Sequence, residues 1–176
     1  CMEAILKNNP KEIIVVDDAS FDDSVEILRK YPVNIIRNER NCGPVKSRNI
    51  GARHASGRYI LFLDSDTETA PDYIQKLSSF LEEKEKVAVV SGKIKELSGE
   101  RMWFNFGYDP SQIRDIISNF INLTIGRKKK PSKFLRWIIS FFNLNFVDEN
   151  KREVDWVVET AFMTKRKVFE NLGGFD

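Results

Sequence analysis

One histidine, two cysteines and no long apolar run occur in the 176 residues, and each shortage closes off a class of chemistry. A lone imidazole, His54, leaves little room for a His-rich metal centre or a Ser-His-Asp triad. Cys1 and Cys42 have neither metal-ligand nor redox spacing, and a reduced, cytoplasmic compartment is the simplest setting for two such thiols. No stretch reaches the roughly 18 consecutive apolar residues of a membrane-spanning helix, and no signal-peptide pattern is visible. Net charge is only +2, so nucleic acid is not expected as a partner. What remains is a globular composition, 41% hydrophobic and 31% charged, long enough for one domain with a real core.

The first half alternates between strand and helix patterns. Glu12–Asp17 (EIIVVD) is a β-branched, continuously apolar run, the pattern of a strand buried on both faces. Ser20-Phe21-Asp22-Asp23 has capping-box spacing and predicts a helix through Lys30. Val33–Arg37 reads as a second strand, Asn38–Pro44 as a polar loop, and Val45–Ser56 as a helix stopped by Gly57. Arg58–Asp64 (RYILFLD) predicts a third buried strand, Thr69 to about Glu85 a helix, and Val87–Ser91 a fourth strand. Such repeats imply an α/β fold with a mostly parallel sheet and helices on both faces. In these sheets ligands bind beyond the carboxyl ends of strands. Asp17-Asp18 and Asp64-Ser65-Asp66 both fall there.

Two carboxylates at i and i+2 of an extended chain project to the same side. Asp64 and Asp66 so placed could share one hard cation. Mg²⁺ and Mn²⁺ favour oxygen ligands and often keep phosphate oxygens in their shell. The same triplet serves equally well as a polar turn at a strand end. Asp17-Asp18 is more unusual, because adjacent carboxylates repel unless a cation or donor offsets them. A receiver-type phosphoacceptor domain also opens with paired aspartates, and Asp64 would then be its acceptor. That reading lacks a lysine at the next strand end, where Ser91-Gly92 stands before Lys93. It also leaves the segment between the two acidic clusters unexplained.

That segment carries a resemblance. IIVVDDASFDDS, NERNCGPVKSRNIGARHASGRYILFLDSD and VDWVVETAFMTKRKVFENLGGFD together resemble glycosyltransferase family 2 over most of the chain. The matching residues are Asp17, Asp18 and Ser20; Asn41 and Gly43; Ser47, Arg48, Asn49 and Gly51; Ala55 and Gly57; Asp64 and Asp66; and Gly173–Asp176. Each is weak singly; their order and spacing are specific. The resemblance implies a GT-A (Rossmann-like) fold and an inverting transfer from a nucleotide-diphosphate sugar to a saccharide or lipid-linked acceptor, in surface polysaccharide or glycoconjugate synthesis. It also implies a Mg²⁺ or Mn²⁺ cofactor. By the same resemblance Asp17 or Asp18 contacts the nucleotide base. Ser20, Arg48, Asn49 and Ser65 belong to the nucleotide-sugar site, with Arg48 near the nucleotide or diphosphate. Asp64 faces the ribose or the metal, and Asp66 binds the metal.

The resemblance puts the general base on an acidic residue shortly after the Gly-Gly-Phe-Asp turn, so no base is assigned within the chain. Glu159 is the candidate carboxylate of the late strand, with an acceptor-lining role expected for it before that of base. Asp176 is expected to anchor the turn or touch the acceptor. Cys1 to Leu6 reads as the end of a helix, and Gly173–Asp176 as a turn. The chain is therefore expected to be one incomplete GT-A domain cut at both ends, with residues 1–100 the nucleotide-sugar half and 101–176 the acceptor half. A nucleotide-sugar-binding domain without catalysis is the second reading.

From Trp103 to about Phe146 a helical pattern takes over, with Ile113, Ile116, Ile117, Phe120 and Ile121 along one face. Arg127-Lys128-Lys129-Lys130 then precedes an apolar run, Phe134–Val147. These segments predict either a helix buried in an acceptor-side insert or peripheral docking on an anionic membrane, at its inner face. Val154–Thr164 reads as strand and Lys165–Leu172 as a short helix.

Overall fold

A computed structural model describes residues 1–93, 95, 106–107, 156–157 and 160–176 of the chain. These residues fall into two compact units, one made of Cys1–Gly92 with Glu159–Asp176 and one made of Lys93–Val158.

The first unit begins with α1 (Met2–Leu6), which buries Ile5 and is followed by Asn9 at φ 49°, just before Pro10. β1 (Ile14–Asp17) pairs in parallel with β2 (Asn34–Arg37), Asp17 lying opposite Arg37. Between them α2 (Ser24–Leu28) is shorter than its pattern predicts, and its N-cap is Asp23 rather than Ser20. The reason lies upstream. Ala19 sits in the left-handed region at φ 62°, and the Ser20 N–H donates to the Asp17 carboxylate at 3.3 Å. The nearer carboxylate takes the group that the capping spacing had assigned to the helix.

α3 (Pro44–His54) starts on Gly43, φ 84°, with proline at its first position, where the missing N–H costs nothing. It packs on β1 at Gly51, where a Cβ would meet Val16 Cγ2 at 3.2 Å. α4 (Tyr73–Glu83) has Asp72 at its N-cap, yet the capping oxygen comes from far away in sequence. Asn8 Oδ1 accepts the Ile74 N–H at 3.0 Å, while Asn8 Nδ2 donates to the Ala70 carbonyl at 2.9 Å.

β3 (Tyr59–Leu63) and β4 (Val89–Ser91) flank β7 (Ala161–Lys165), and each pairs with it antiparallel. The described sheets are therefore of both kinds, one parallel and the others antiparallel. The expected parallel arrangement holds for β1–β2, while the late strand enters the β3–β4 gap running the other way. Sequence patterning could not foresee this, because a strand buried on both faces reads alike in either direction. Helices do cover both faces of the trio. On one, Leu77 and Leu81 of α4 pack with Met163 and with the half-buried Leu61 and Tyr59. On the other, Phe62 and Phe162 stand opposite each other at 5.0 Å between ring centroids, and Phe169 of α5 (Arg166–Asn171) meets Phe62 at 5.2 Å.

In the second unit β5 (Phe106–Gly107) pairs antiparallel with β6 (Trp156–Val157). The helical pattern expected from Trp103 is thus interrupted at Phe106–Gly107, since helical periodicity read over a long window does not exclude a two-residue ladder. The expected helical face Ile113–Ile121, the basic run Arg127–Lys130, the apolar run Phe134–Val147 and the Glu159 carboxylate lie outside the described residues. Among the described residues, no helix is long and apolar enough to cross a membrane.

Candidate functional site

Asp17 closes β1 and Asp18 follows it, and successive side chains of an extended chain point to opposite faces. The Asp17 side chain is only 2% exposed; Arg37 Nε lies 3.2 Å from its Oδ2 as an ion pair, outside hydrogen-bond geometry, so that oxygen has no hydrogen-bond donor. Arg37 also donates to the Ser20 carbonyl at 2.9 Å, which locks the turn after β1. Asp18 is partly exposed and well supplied. Its Oδ1 accepts from Asn38 Nδ2 at 2.7 Å and the Cys42 N–H at 2.8 Å, and its Oδ2 accepts the Gly43 N–H at 2.8 Å. The Asn38 amide first, then the Cys42 and Gly43 amides, hold its carboxyl below the usual aspartate value. The Ser47 hydroxyl acts in the same direction.

The loop that Asp18 grips leads into α3. Gly43, the N-cap, offers no side chain, and the Asp18 carboxylate supplies the negative charge that a helix N-terminus favours. Asn38 Nδ2 also reaches the buried Ser47 Oγ at 3.2 Å, which ties the loop to the helix from inside. Sequence reasoning assigned no role to Asn38; its only signal was a position in a polar loop after β2.

One turn into α3, Arg48 Nη2 pairs with Asp64 Oδ1 at 2.9 Å, the side chains being 17% and 39% exposed. A solvated helix face is therefore not the environment of Arg48. Asp64 follows β3 directly, and its N–H donates to the Thr160 carbonyl at 2.9 Å. The expected extended geometry of Asp64-Ser65-Asp66 is not what forms. The Thr67 N–H donates to the Asp64 carbonyl at 3.1 Å, closing a tight turn that leaves Ser65 and Asp66 exposed. β3 ends at Leu63, opposite Ala161, the first residue of β7. Among the described residues Asp66 makes no hydrogen bond or ion pair, and no group of three or more His, Cys, Asp or Glu side chains assembles into a metal site.

Asn49, the next residue on α3, points elsewhere. Its Nδ2 donates to the Phe175 carbonyl at 2.8 Å and its Oδ1 accepts the Phe175 N–H at 2.9 Å. The two cysteines are both free thiols. One helix thus carries contacts to the loop after β1, the turn after β3 and the Gly173–Asp176 turn.

This order of motifs matches the model of glycosyl transferase family 2 across residues 1–173. The chain belongs to that family. A poly(ribitol-phosphate) beta-glucosyltransferase of Bacillus spizizenii is 30% identical over 139 residues, which cover 73% of this chain and 22% of the relative. Among solved structures, S. aureus TarS 1–349 superposes with a TM-score of 0.55 at 20% identity, over 98% of this chain and 44% of that one. A mannosyltransferase of Pyrobaculum calidifontis, solved with GDP-mannose and Mn²⁺, gives a TM-score of 0.59 at 18% identity, over 99% of this chain and 42% of that one. These likenesses identify the fold as GT-A. This family 2 chain spans less than half of each solved structure and about a quarter of the curated relatives it matches. The receiver-type reading falls with the family assignment.

Proposed function

We propose that this chain binds the donor in an inverting, metal-dependent transfer of a sugar from a nucleotide diphosphate to an acceptor hydroxyl. The observation that carries the reading is the tie between two acidic clusters through α3: Asp18 on the amides that lead into it, and Asp64 on Arg48. That arrangement brings a base acceptor, a guanidinium and a turn bearing an exposed carboxylate to the carboxyl ends of β1 and β3, where α/β sheets bind ligands.

Within this reading Asp18, the half-buried member of the pair, rather than the enclosed Asp17, accepts the ring N–H of the base. Asp17 is too enclosed to meet a ligand and serves to hold the turn. Arg48, oriented by Asp64, offers its guanidinium to the diphosphate. Asp64 has one oxygen engaged and one open, toward the ribose or the metal, and Ser20 and Ser65 border the donor. Asn49 acts through Phe175 and makes no contact with the donor.

The donor set is hard oxygen, which fits Mg²⁺ or Mn²⁺. Asp66 would hold the ion with Asp64, and phosphate oxygens and water would fill the remaining positions. When bound, the cation neutralises charge on the departing diphosphate. The acceptor oxygen forms its bond to the anomeric carbon as the bond to the diphosphate breaks, and the hydroxyl proton passes to a carboxylate base. That base belongs after Asp176, with Glu159 an acceptor-lining group. Relatives named for poly(ribitol-phosphate) glycosylation and teichuronic acid biosynthesis support a polymer of this kind as the acceptor class.

A thermal-shift screen of the complete protein against nucleotide sugars with Mn²⁺ tests the reading. One donor should stabilise it, by about 2.7 kcal/mol at a hundredfold excess over Kd, and Asp66→Ala should abolish the Mn²⁺-dependent part. A donor that binds but never releases its nucleoside diphosphate would identify a binding module instead. No shift with any nucleotide sugar would sink both.

A further inference from the structure

Consecutive residues of α3 hold two different turns. Arg48 reaches Asp64 at 2.9 Å, at the head of the Asp64–Thr67 turn. Asn49, about 100° further round the helix, exchanges two hydrogen bonds with the backbone of Phe175, donating at 2.8 Å and accepting at 2.9 Å. A side-chain amide used this way replaces a strand neighbour, fixing both the height and the rotation of the peptide it grips. The local sequence is fitted to it. Gly174 has φ 94°, and a Cβ there would lie 2.6 Å from Asn49 Oδ1, so a side chain would push the amide away. Gly173 has φ 83°.

The turn is pinned from its other side by the Phe175 ring, 5.1 Å from Phe62, 5.1 Å from Phe169 and 6.1 Å from Phe162 between centroids. Phe62 stands two residues before Asp64 on β3. The Asp64 turn and the Phe175 turn are therefore each tied twice, to α3 through Arg48 and Asn49 and to β3 through its chain end and Phe62. Asp176 continues from this anchor as an exposed carboxylate.

We propose that Asn49 is a positioning residue for the transfer step: it holds the Gly173–Asp176 turn in register with the donor-side Asp64–Thr67 turn, so that both move with α3. The inference rests on the transferase reading above. Asp18, Arg48 and Asp66 hold the donor without the Asn49 amide, so its loss leaves donor affinity in place. What it disturbs is the placement of the chain at Asp176, and a displacement of about 1 Å near a reacting centre can cost about 100-fold in rate.

The test uses the complete protein with Mn²⁺ and whichever of UDP-glucose, UDP-N-acetylglucosamine and GDP-mannose stabilises the wild type most, reading nucleoside diphosphate release and amide hydrogen exchange. Asn49→Ala should lower kcat at least about tenfold with donor KM within about threefold, and the Phe175 amide should exchange faster. Asn49→Asp should be impaired near neutral pH and recover relative to wild type as pH falls, because the protonated acid regains the donor that Phe175 requires. Wild-type kcat in an Asn49→Ala protein whose Phe175 amide exchanges faster overturns the proposal, as does a loss expressed only in donor KM. Should Asn49→Ala not fold, Asn49→Asp decides, and absence of recovery at lower pH overturns it. A wild type that releases no nucleoside diphosphate from any of the three sinks the transferase reading, and this inference with it.

Discussion

Asp17 and Asp18 are adjacent carboxylates at one strand end, and the alternation of a strand gives them opposite surroundings. Asp17 turns inward to Arg37 and the Ser20 amide; Asp18 turns toward the Asn38–Gly43 loop and accepts three donors. Because those donors favour the charged form, the Asp18 contribution is complete above the ordinary aspartate value of about 3.9 and is lost as pH falls through the lower folded-state value. Asp18→Asn should therefore be less stable than wild type at neutral pH, with the gap closing as pH falls below the ordinary aspartate range. Urea unfolding of both proteins across that range measures it, and a gap independent of pH would mean that charge is not what the loop amides recognise. The pair itself was legible in the sequence. Which member is enclosed was not, because the pattern of a strand buried on both faces says nothing of which side meets the loop.

Elements in this fold are finished by groups remote in sequence. α3 begins on Gly43, which has no side chain to cap it, and the carboxylate that approaches its first amides belongs to Asp18. α4 begins after Asp72, whose side chain pairs with Lys76 at 2.6 Å instead of capping, and Asn8 supplies the missing oxygen. Asn8→Ala removes an acceptor from the Ile74 amide and donors from two carbonyls and a hydroxyl. The expected cost is about 1–3 kcal/mol, seen as a lower midpoint in urea at unchanged slope. Capping motifs are readable when cap and helix are neighbours. Here Ser20 matched the spacing and lost to Asp17, whereas Asn8 carried no signal, because an asparagine ahead of Asn9-Pro10 reads as an ordinary turn residue.

At the scale of the molecule, the late segment Ala161–Asp176 completes what the first 92 residues begin. β7 fills the gap between β3 and β4, and Phe162 enters the cluster of Phe62, Phe169 and Phe175. Phe162 is 6% exposed, so Phe162→Ala should cost about 3–5 kcal/mol. It should also loosen Phe175, detectable as faster exchange at that amide even where the protein stays folded.

The sequence by itself determined the alternation of strands and helices, the strand-end position of both acidic clusters and the family, because these depend on short-range periodicity and on the order of motifs. Only the tertiary structure decided that Asp64-Ser65-Asp66 closes into a turn, that β7 runs antiparallel, and that Asn49 grips Phe175. The last two depend on partners about 100 residues away, and no local propensity encodes which distant backbone group will arrive beside a given strand or side chain.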